Sequence, residues 1–417
     1  MKFETISKEN RYNKTTLENG IRVLSEYLPD SESYALGMCV KAGARDDFKG
    51  VAGIAHFLEH IIFKGSKKLS ARKIATSFES LGAYTNAFTT QENTLFYVRA
   101  LNPHFDKTFS MLSDIVLHPE MKSRDIEKEK SVIIEEIKSY EDDPEEQIFD
   151  FADNMIFGEH PLGTPIVGTV DSISQINSEL LREYHQTYFQ PSNLIVVASG
   201  AITHNHILKL ANKYLKYSNE PKNIPSRLAP EIVEPSELTV SKQIQQTHLV
   251  YAKRIEGIKS VERYPMSVLN VLLGDGMSSR LYQNVREKSG LAYSVYSSIQ
   301  LFEDCGGFYI YSATDSRNEK KLKQSLLKEI INLRINTVKE SELNRAKEQL
   351  KSSVIMEMES KSSRIQSLVK NEFQLGYYED STATINAINA VCLDDIKLLA
   401  DKYFNEENWN LVTIKPD

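Results

Sequence analysis

Gly53-Ile54-Ala55-His56-Phe57-Leu58-Glu59-His60-Ile61-Ile62-Phe63 is an apolar run interrupted by three polar residues, and their spacing carries the chemistry. On a helix of about 3.6 residues per turn, His56 and His60 fall one turn apart on one face, with Glu59 on the arc between them. Two neutral imidazoles so placed can hold zinc at about 2.0–2.1 Å each, while the carboxylate stays free to accept a proton from a water that the metal activates. The order inverts the better-known His-Glu-x-x-His and belongs with the zinc protease signatures. The bland alternative is a buried helix whose histidines are satisfied by backbone carbonyls.

A third ligand would favour the first reading. The segment Glu129-Lys130-Ser131-Val132-Ile133-Ile134-Glu135-Glu136-Ile137 has a helical pattern, with Ser123 upstream as its N-cap. Val132, Ile133 and Ile137 are apolar, and Glu129 and Glu136 lie two turns apart on one face. A carboxylate on the packed side of a helix needs a partner.

The His-x-x-Glu-His element, this Glu-x6-Glu pair, the stretch Gly82-Ala83-Tyr84-Thr85-Asn86-Ala87-Phe88-Thr89 and the stretch from Ser279 to Tyr293 together resemble the pitrilysin–insulinase peptidases. The subgroup is that of mitochondrial processing peptidase and its small bacterial relatives, and the resemblance runs along nearly the whole chain. It implies that His56, His60 and Glu136 hold one Zn2+ per chain, that Glu59 is the general base, and that Glu129 orients a ligand from behind. Glu135, about 100° around the helix from Glu136, is expected in solvent.

The resemblance also implies where a peptide would lie. Residues 85–89 match an edge strand beside the metal, so that Asn86, Ala87 and Phe88 meet an extended peptide that adds as one more strand. Phe63 matches the position that receives the hydrophobic residue after the scissile bond. Glu146 and Asp150 match acidic positions that pair with a substrate arginine. Arg286 and Tyr293, spaced R-x6-Y, match a pair that contacts the peptide opposite the zinc, the tyrosine donating to the developing oxyanion. Each has a plainer alternative: a core phenylalanine, an ordinary half-buried strand, a solvated helix start, and a local ion pair beside a core tyrosine. Gly274–Arg280 lacks the ending of a phosphate loop and reads as a turn before a helix.

The remaining composition agrees with a globular enzyme. A chain of 417 residues with net charge −7 suits two domains and not the basic surface of a nucleic-acid binder. Cys39, Cys305 and Cys392 match no zinc or redox spacing, which points to a reducing compartment. Residues 1–10 have no apolar core of the kind a signal peptide needs, and no stretch approaches the length of a membrane span; a cytoplasmic location is the expectation. The seven other histidines are expected to be structural or exposed.

The chain repeats itself. Gly168–Ile173 leads through a helix to Tyr188-Phe189, and Ala383–Ile388 leads through another to Tyr403-Phe404, at one constant offset. The expected organisation is α+β: two homologous domains from an internal duplication, each a mainly antiparallel sheet packed with helices. The boundaries are 1–218 for a zinc-binding domain, 219–235 for a Pro-rich linker and 236–417 for a homologous domain without metal. Strands are expected at Ala35–Ala42 and Thr94–Ala100, and helices near 53–66, 123–141 and 342–360.

The function these features point to is zinc-dependent hydrolysis of extended peptides or presequence-like segments, some with basic residues. Family chambers contain four such domains and this chain supplies two, so the resemblance implies a homodimer in which Arg286 and Tyr293 of one subunit face the zinc site of the other. The alternative is a non-catalytic peptide-binding or scaffold subunit.

Overall fold

The structure, a computed structural model, describes residues 11–217, 223–336, 338–405 and 407–417; the N-terminal segment 1–10 and the first part of the expected linker, including Pro221, lie outside them. Strands β1 (Tyr12–Thr16), β2 (Arg22–Tyr27), β3 (Ser33–Val40), β4 (Tyr84–Thr89), β5 (Thr94–Leu101) and β6 (Leu194–Gly200) form one sheet in the order β1-β2-β6-β3-β5-β4. Strands β7 (Glu237–Lys242), β8 (Thr247–Glu256), β9 (Ser294–Leu301), β10 (Cys305–Thr314) and β11 (Asn410–Pro416) form a second in the order β7-β11-β8-β10-β9. Among the described residues, only the β2–β6 and β7–β11 pairs are parallel. Leaving β1 aside, each sheet sets its first strand beside its last, then its second, fourth and third. The expected duplication is therefore present in the wiring of the strands as well as in the repeated motifs.

The central strands do not alternate between buried and exposed. All seven residues of β6 and all ten of β10 are buried, which requires cover on both faces of each sheet. On one face of the first sheet, Leu36, Met38, Val98 and Val196 pack in a core with Phe57, Ile61, Phe109 and Ile115 of helices Ile54–Ile62 and Phe105–Leu117. On the other, Ala35, Cys39, Leu95, Ile195 and Val197 meet Ile365, Leu368 and Val369 of helix Lys361–Lys370, and Phe373 beyond it. Gly37 leaves room for this, because a Cβ there would lie 2.8 Å from both Leu95 Cδ1 and Val197 Cγ2.

The second sheet is built the same way. Leu249, Phe308, Ile310 and Leu411 pack with helices Arg263–Leu273 and Glu319–Ile335, while Val250, Ala252, Val412 and Ile414 pack with Ile148, Ala152 and Ile156 of helix Pro144–Phe157. The contiguous halves 1–218 and 236–417 are accordingly not the compact units. The first unit comprises Met1–Ile137, Pro165–Arg227 and Met358–Phe373, and the second comprises Lys138–Thr164, Leu228–Glu357 and Gln374–Asp417. Each half of the sequence lends one helix to the other unit, because a sheet apolar on both faces needs a cover that its own crossovers do not supply.

Smaller departures concern element ends. The helix expected over 53–66 stops at Ile62, where Gly65 and Ser66 turn into bridges with Ser70 and Pro119. Ser123 is the first helical residue of Ser123–Asp142 instead of its cap, and the helix expected at 342–360 is Glu340–Glu357. Strands β3 and β5 are displaced by two residues or fewer from the expected ends.

Ile365→Ala, which empties a fully buried position, is expected to cost about 2–5 kcal/mol and to lower the unfolding midpoint in urea. Residues 1–218 produced alone should bind a hydrophobic dye, and a peptide covering 358–375 should reduce that binding.

Candidate metal centre

Helix Ile54–Ile62 begins at Gly53, whose φ of 86° suits glycine. Its first turn is capped from upstream: Asp47 Oδ2 accepts the Gly53 N–H at 2.6 Å and Oδ1 accepts the Ala55 N–H at 3.0 Å, a type of contact that stabilises a helix start by about 0.5–2 kcal/mol. Ile54, Phe57, Leu58 and Ile61 are fully buried in the core. That registration turns His56, Glu59 and His60 to the opposite side together.

Glu136 arrives from helix Ser123–Asp142, which is seated by buried Ile126, Ile133 and Ile137. His56 Nε2 lies 3.8 Å from Glu136 Oε1, and His60 Nε2 lies 3.7 Å from Glu136 Oε2. Ligand atoms of the three residues all fall within 4.8 Å of one another, and among the described residues no other such group of three occurs. The gaps are too long for hydrogen bonds and close to the edge of about 3.4 Å expected of a tetrahedron with bonds of about 2.0–2.1 Å. Three Lewis bases converge without bonding each other, so the donor set fits zinc.

Electrostatics agree with that reading. Burial, and then the neighbouring His60, push the His56 imidazolium down to about 4. His60 is lowered by burial against the pull of Glu136 and Glu129. Neutral imidazole is the ligating form. Glu59 is raised, chiefly by burial and also by Glu136, while its hydrogen bond from the Thr89 hydroxyl at 2.6 Å acts in the opposite direction.

Glu129 is buried behind His60, with Oε2 3.8 Å from His60 Nδ1 and 2.5 Å from Lys64 Nζ. Glu135 is exposed, as expected. The sequence motifs assign no role to Lys64 or Thr89. Thr89 ends the quoted 85–89 stretch, and Lys64 lies one turn after His60, so spacing alone could have proposed both. Phe63 caps the helix C-terminus, half-buried, its ring 6.3 Å from that of Phe96.

Strand β4 pairs with β5 alone among the described residues and forms the sheet edge. Its pleat divides the expected peptide contacts. Ala87 joins the core beneath the metal helix and Thr89 reaches Glu59, whereas Asn86 donates to the Tyr84 hydroxyl and Phe88 packs edge-on to Tyr97 on the opposite face.

Four expected site residues belong to the second unit and are not part of the metal cluster. The Arg286 guanidinium, in the π-helical turn Tyr282–Lys288, sits 4.7 Å from the Tyr282 ring centre and 5.3 Å from that of Tyr293. Tyr293 is 78% exposed, so it is not a core tyrosine. Glu146 and Asp150 occupy helix Pro144–Phe157, where burial and then Glu146 raise the Asp150 carboxyl to about 6. Other histidines are held structurally: His185 bonds to the Val116 carbonyl, and His204, the first residue of its helix, lies between Thr15 and Ser25. Among the described residues no disulfide links Cys39, Cys305 and Cys392.

Comparison with known proteins agrees with this architecture. Residues 22–170 match the family described as Insulinase (Peptidase family M16), and residues 175–350 match the one described as Peptidase M16 inactive domain. The chain is 35% identical over 401 residues to the uncharacterized zinc protease YmxG of Bacillus subtilis, covering 96% of this chain and 97% of that protein. An uncharacterized zinc protease of Mycobacterium leprae is 32% identical over 401 residues, covering 94% of this chain and 89% of that one. The fold is shared with a Helicobacter pylori protease (TM-score 0.92, 22% identity, 97% of this chain and 99% of that one). It is also shared with a Pseudomonas fluorescens structure described as a peptidase M16 inactive domain (TM-score 0.91, 19% identity, 97% and 98%). With both halves matched and relatives above 30% identity along nearly its whole length, the chain belongs to the M16, or insulinase, family of peptidases.

Proposed function

We propose that this chain is a zinc endopeptidase acting on extended peptides, with His56, His60 and Glu136 as ligands and Glu59 as general base. The convergence of the two imidazoles and Glu136 carries the reading. When bound, zinc would acidify a water and polarise the scissile carbonyl. Glu59, held by Thr89 and raised by burial, would take the proton from the attacking water and return it to the leaving amine. Glu129, between His60 and Lys64, would fix the orientation of the His60 ring. The β4 edge would align the substrate through its backbone, with Ala87 and Thr89 on the side of Glu59 and Phe63 beside the residue after the scissile bond.

A non-catalytic peptide-binding or scaffold subunit is the second reading; the intact ligand set and base, and relatives named as zinc proteases, favour catalysis. Cysteines outside any disulfide, two of them buried, are compatible with a reducing, cytoplasmic setting. Among the described residues no helix is long and apolar enough to cross a membrane.

The division of labour is tested by metal analysis beside peptide hydrolysis. Glu59→Gln should retain about one zinc per chain and lose about 10²–10⁴-fold in turnover, whereas His60→Ala and Glu136→Ala should lose the metal too. A Glu136→Ala protein with full zinc occupancy overturns the assignment.

The acidic pair Glu146 and Asp150 would select substrates with basic side chains, since Asp150 is a desolvated carboxyl raised further by the neighbouring charge of Glu146. Replacing both with Lys should cost about 2–5 kcal/mol on basic peptides and leave neutral ones nearly unchanged. The preference for basic over neutral peptides should also decline as pH falls through about 6, where Asp150 takes up its proton. A ratio of the two kcat/KM values that is flat in pH and in the double variant excludes the role.

Arg286 and the exposed Tyr293 would complete the site of another copy in a homodimer. Glu59→Gln chains and Tyr293→Phe chains, each inactive, should regain activity when exchanged into mixed dimers, because one site then holds both residues. Demonstrated exchange without recovery, or a fully active monomer, rules this out.

A further inference from the structure

Four charged side chains are buried together beside the metal helix, and the chemistry above uses none of them. Arg45, Asp46 and Glu92 are 5%, 8% and 2% exposed, and the Arg227 side chain is 13% exposed. Arg45 Nη1 donates to Glu92 Oε1 at 2.8 Å. Arg227 forks onto Asp46, Nε to Oδ1 at 2.9 Å and Nη2 to Oδ2 at 2.7 Å, and Nη2 also donates to the Glu92 carbonyl at 2.6 Å. Desolvation makes buried ion pairs poor stabilisers compared with apolar packing, so stability alone does not account for this group.

The network leads to both elements that hold Glu59. Asp46 accepts the Gly43 N–H at 2.9 Å and is followed by Asp47, whose carboxylate fixes the first turn of the helix bearing His56, Glu59 and His60. Glu92 lies in the loop that joins β4 to β5, just after Thr89, the hydroxyl partner of Glu59. Turn and loop are already stapled by backbone bonds, Ala44 N to Thr90 O at 3.1 Å and Arg45 N to Gln91 O at 2.8 Å. The approach is so close that a Cβ on Gly43 would fall 2.2 Å from Thr90 O. Arg227, the last residue of this unit before the chain passes to the second at Leu228, reaches the carboxylate of the turn and the carbonyl of the loop with one guanidinium.

We propose that Arg227 is a positioning residue for the metal centre: it clamps the turn that caps the ligand helix to the loop that carries the hydroxyl partner of Glu59. The catalytic consequence rests on the peptidase reading above; the effect on helix and loop rests on the fold alone. A planar fork is what reaches three acceptors at once, and an ammonium on a flexible stem does not reproduce it. Displacement of a catalytic group by about 1 Å can cost about 10²-fold in rate.

The test compares Arg227→Ala and Arg227→Lys with the parent in the full-length chain. In metal-free protein, amide exchange should rise in segments 53–62 and 84–93 and stay unchanged in 105–117 of the same unit. Zinc release to a competing chelator should be at least about tenfold faster, and kcat should fall at least about tenfold with KM within about twofold. Millimolar guanidinium should reverse these changes in Arg227→Ala by refilling the vacated space. Exchange that rises equally in all three segments, or release and turnover that stay at parent values, overturns the assignment. If Arg227→Ala does not fold, Arg227→Lys carries the same measurements. If the parent cuts no peptide, the peptidase reading fails, and the exchange pattern still decides the role of Arg227.

Discussion

The need to cover both faces of each sheet is the constraint on which the rest of this structure depends. Strands such as β6 and β10 are buried along their whole length, and a sheet with one open apolar face would leave hundreds of square ångströms of hydrocarbon in water, at roughly 25 cal/mol per Å². The repeated wiring of each half provides helices for one face only. The other face is covered by a helix from the opposite half of the sequence, Pro144–Phe157 in one case and Lys361–Lys370 in the other. These are corresponding elements of the repeat, so the exchange is reciprocal, and its cause is hydrophobic burial.

With the first sheet covered on both faces, helix Ile54–Ile62 has little freedom left. Four apolar side chains anchor one side, Asp47 fixes the start, and Gly65 ends the helical path soon after His60. The two imidazoles therefore sit 4.6 Å apart between ring centres before any ligand is considered. Burial keeps them neutral, and a second helix seated by Ile133 and Ile137 brings Glu136 to the same point. Packing of this kind puts the cost of bringing the three donors together into folding.

The corresponding helix of the second unit has the packing role without the candidate ligands. Helix Arg263–Leu273 carries no histidine and buries Met266, Val268, Leu269 and Leu272 in its own core. The second unit instead presents an arginine against two tyrosine rings, one of them exposed, and a helix bearing poorly solvated carboxyls.

Much of the candidate site's arrangement was legible in the sequence, because helical periodicity is local: the spacing of His56, Glu59 and His60, and of Glu129 and Glu136, follows from 3.6 residues per turn whatever surrounds them. The duplication was legible too, since it is a repeated order of motifs. What the sequence by itself could not decide is which helix covers which sheet, because the apolar stripe of a helix says that it is buried and not against what, and only long-range packing places Pro144–Phe157 and Lys361–Lys370. Nor could it place Arg227 against Asp46 and Glu92, which lie 181 and 135 residues away in the chain. A side chain's partner across the fold depends on which surfaces come together, and that is set by tertiary burial and not by local pattern.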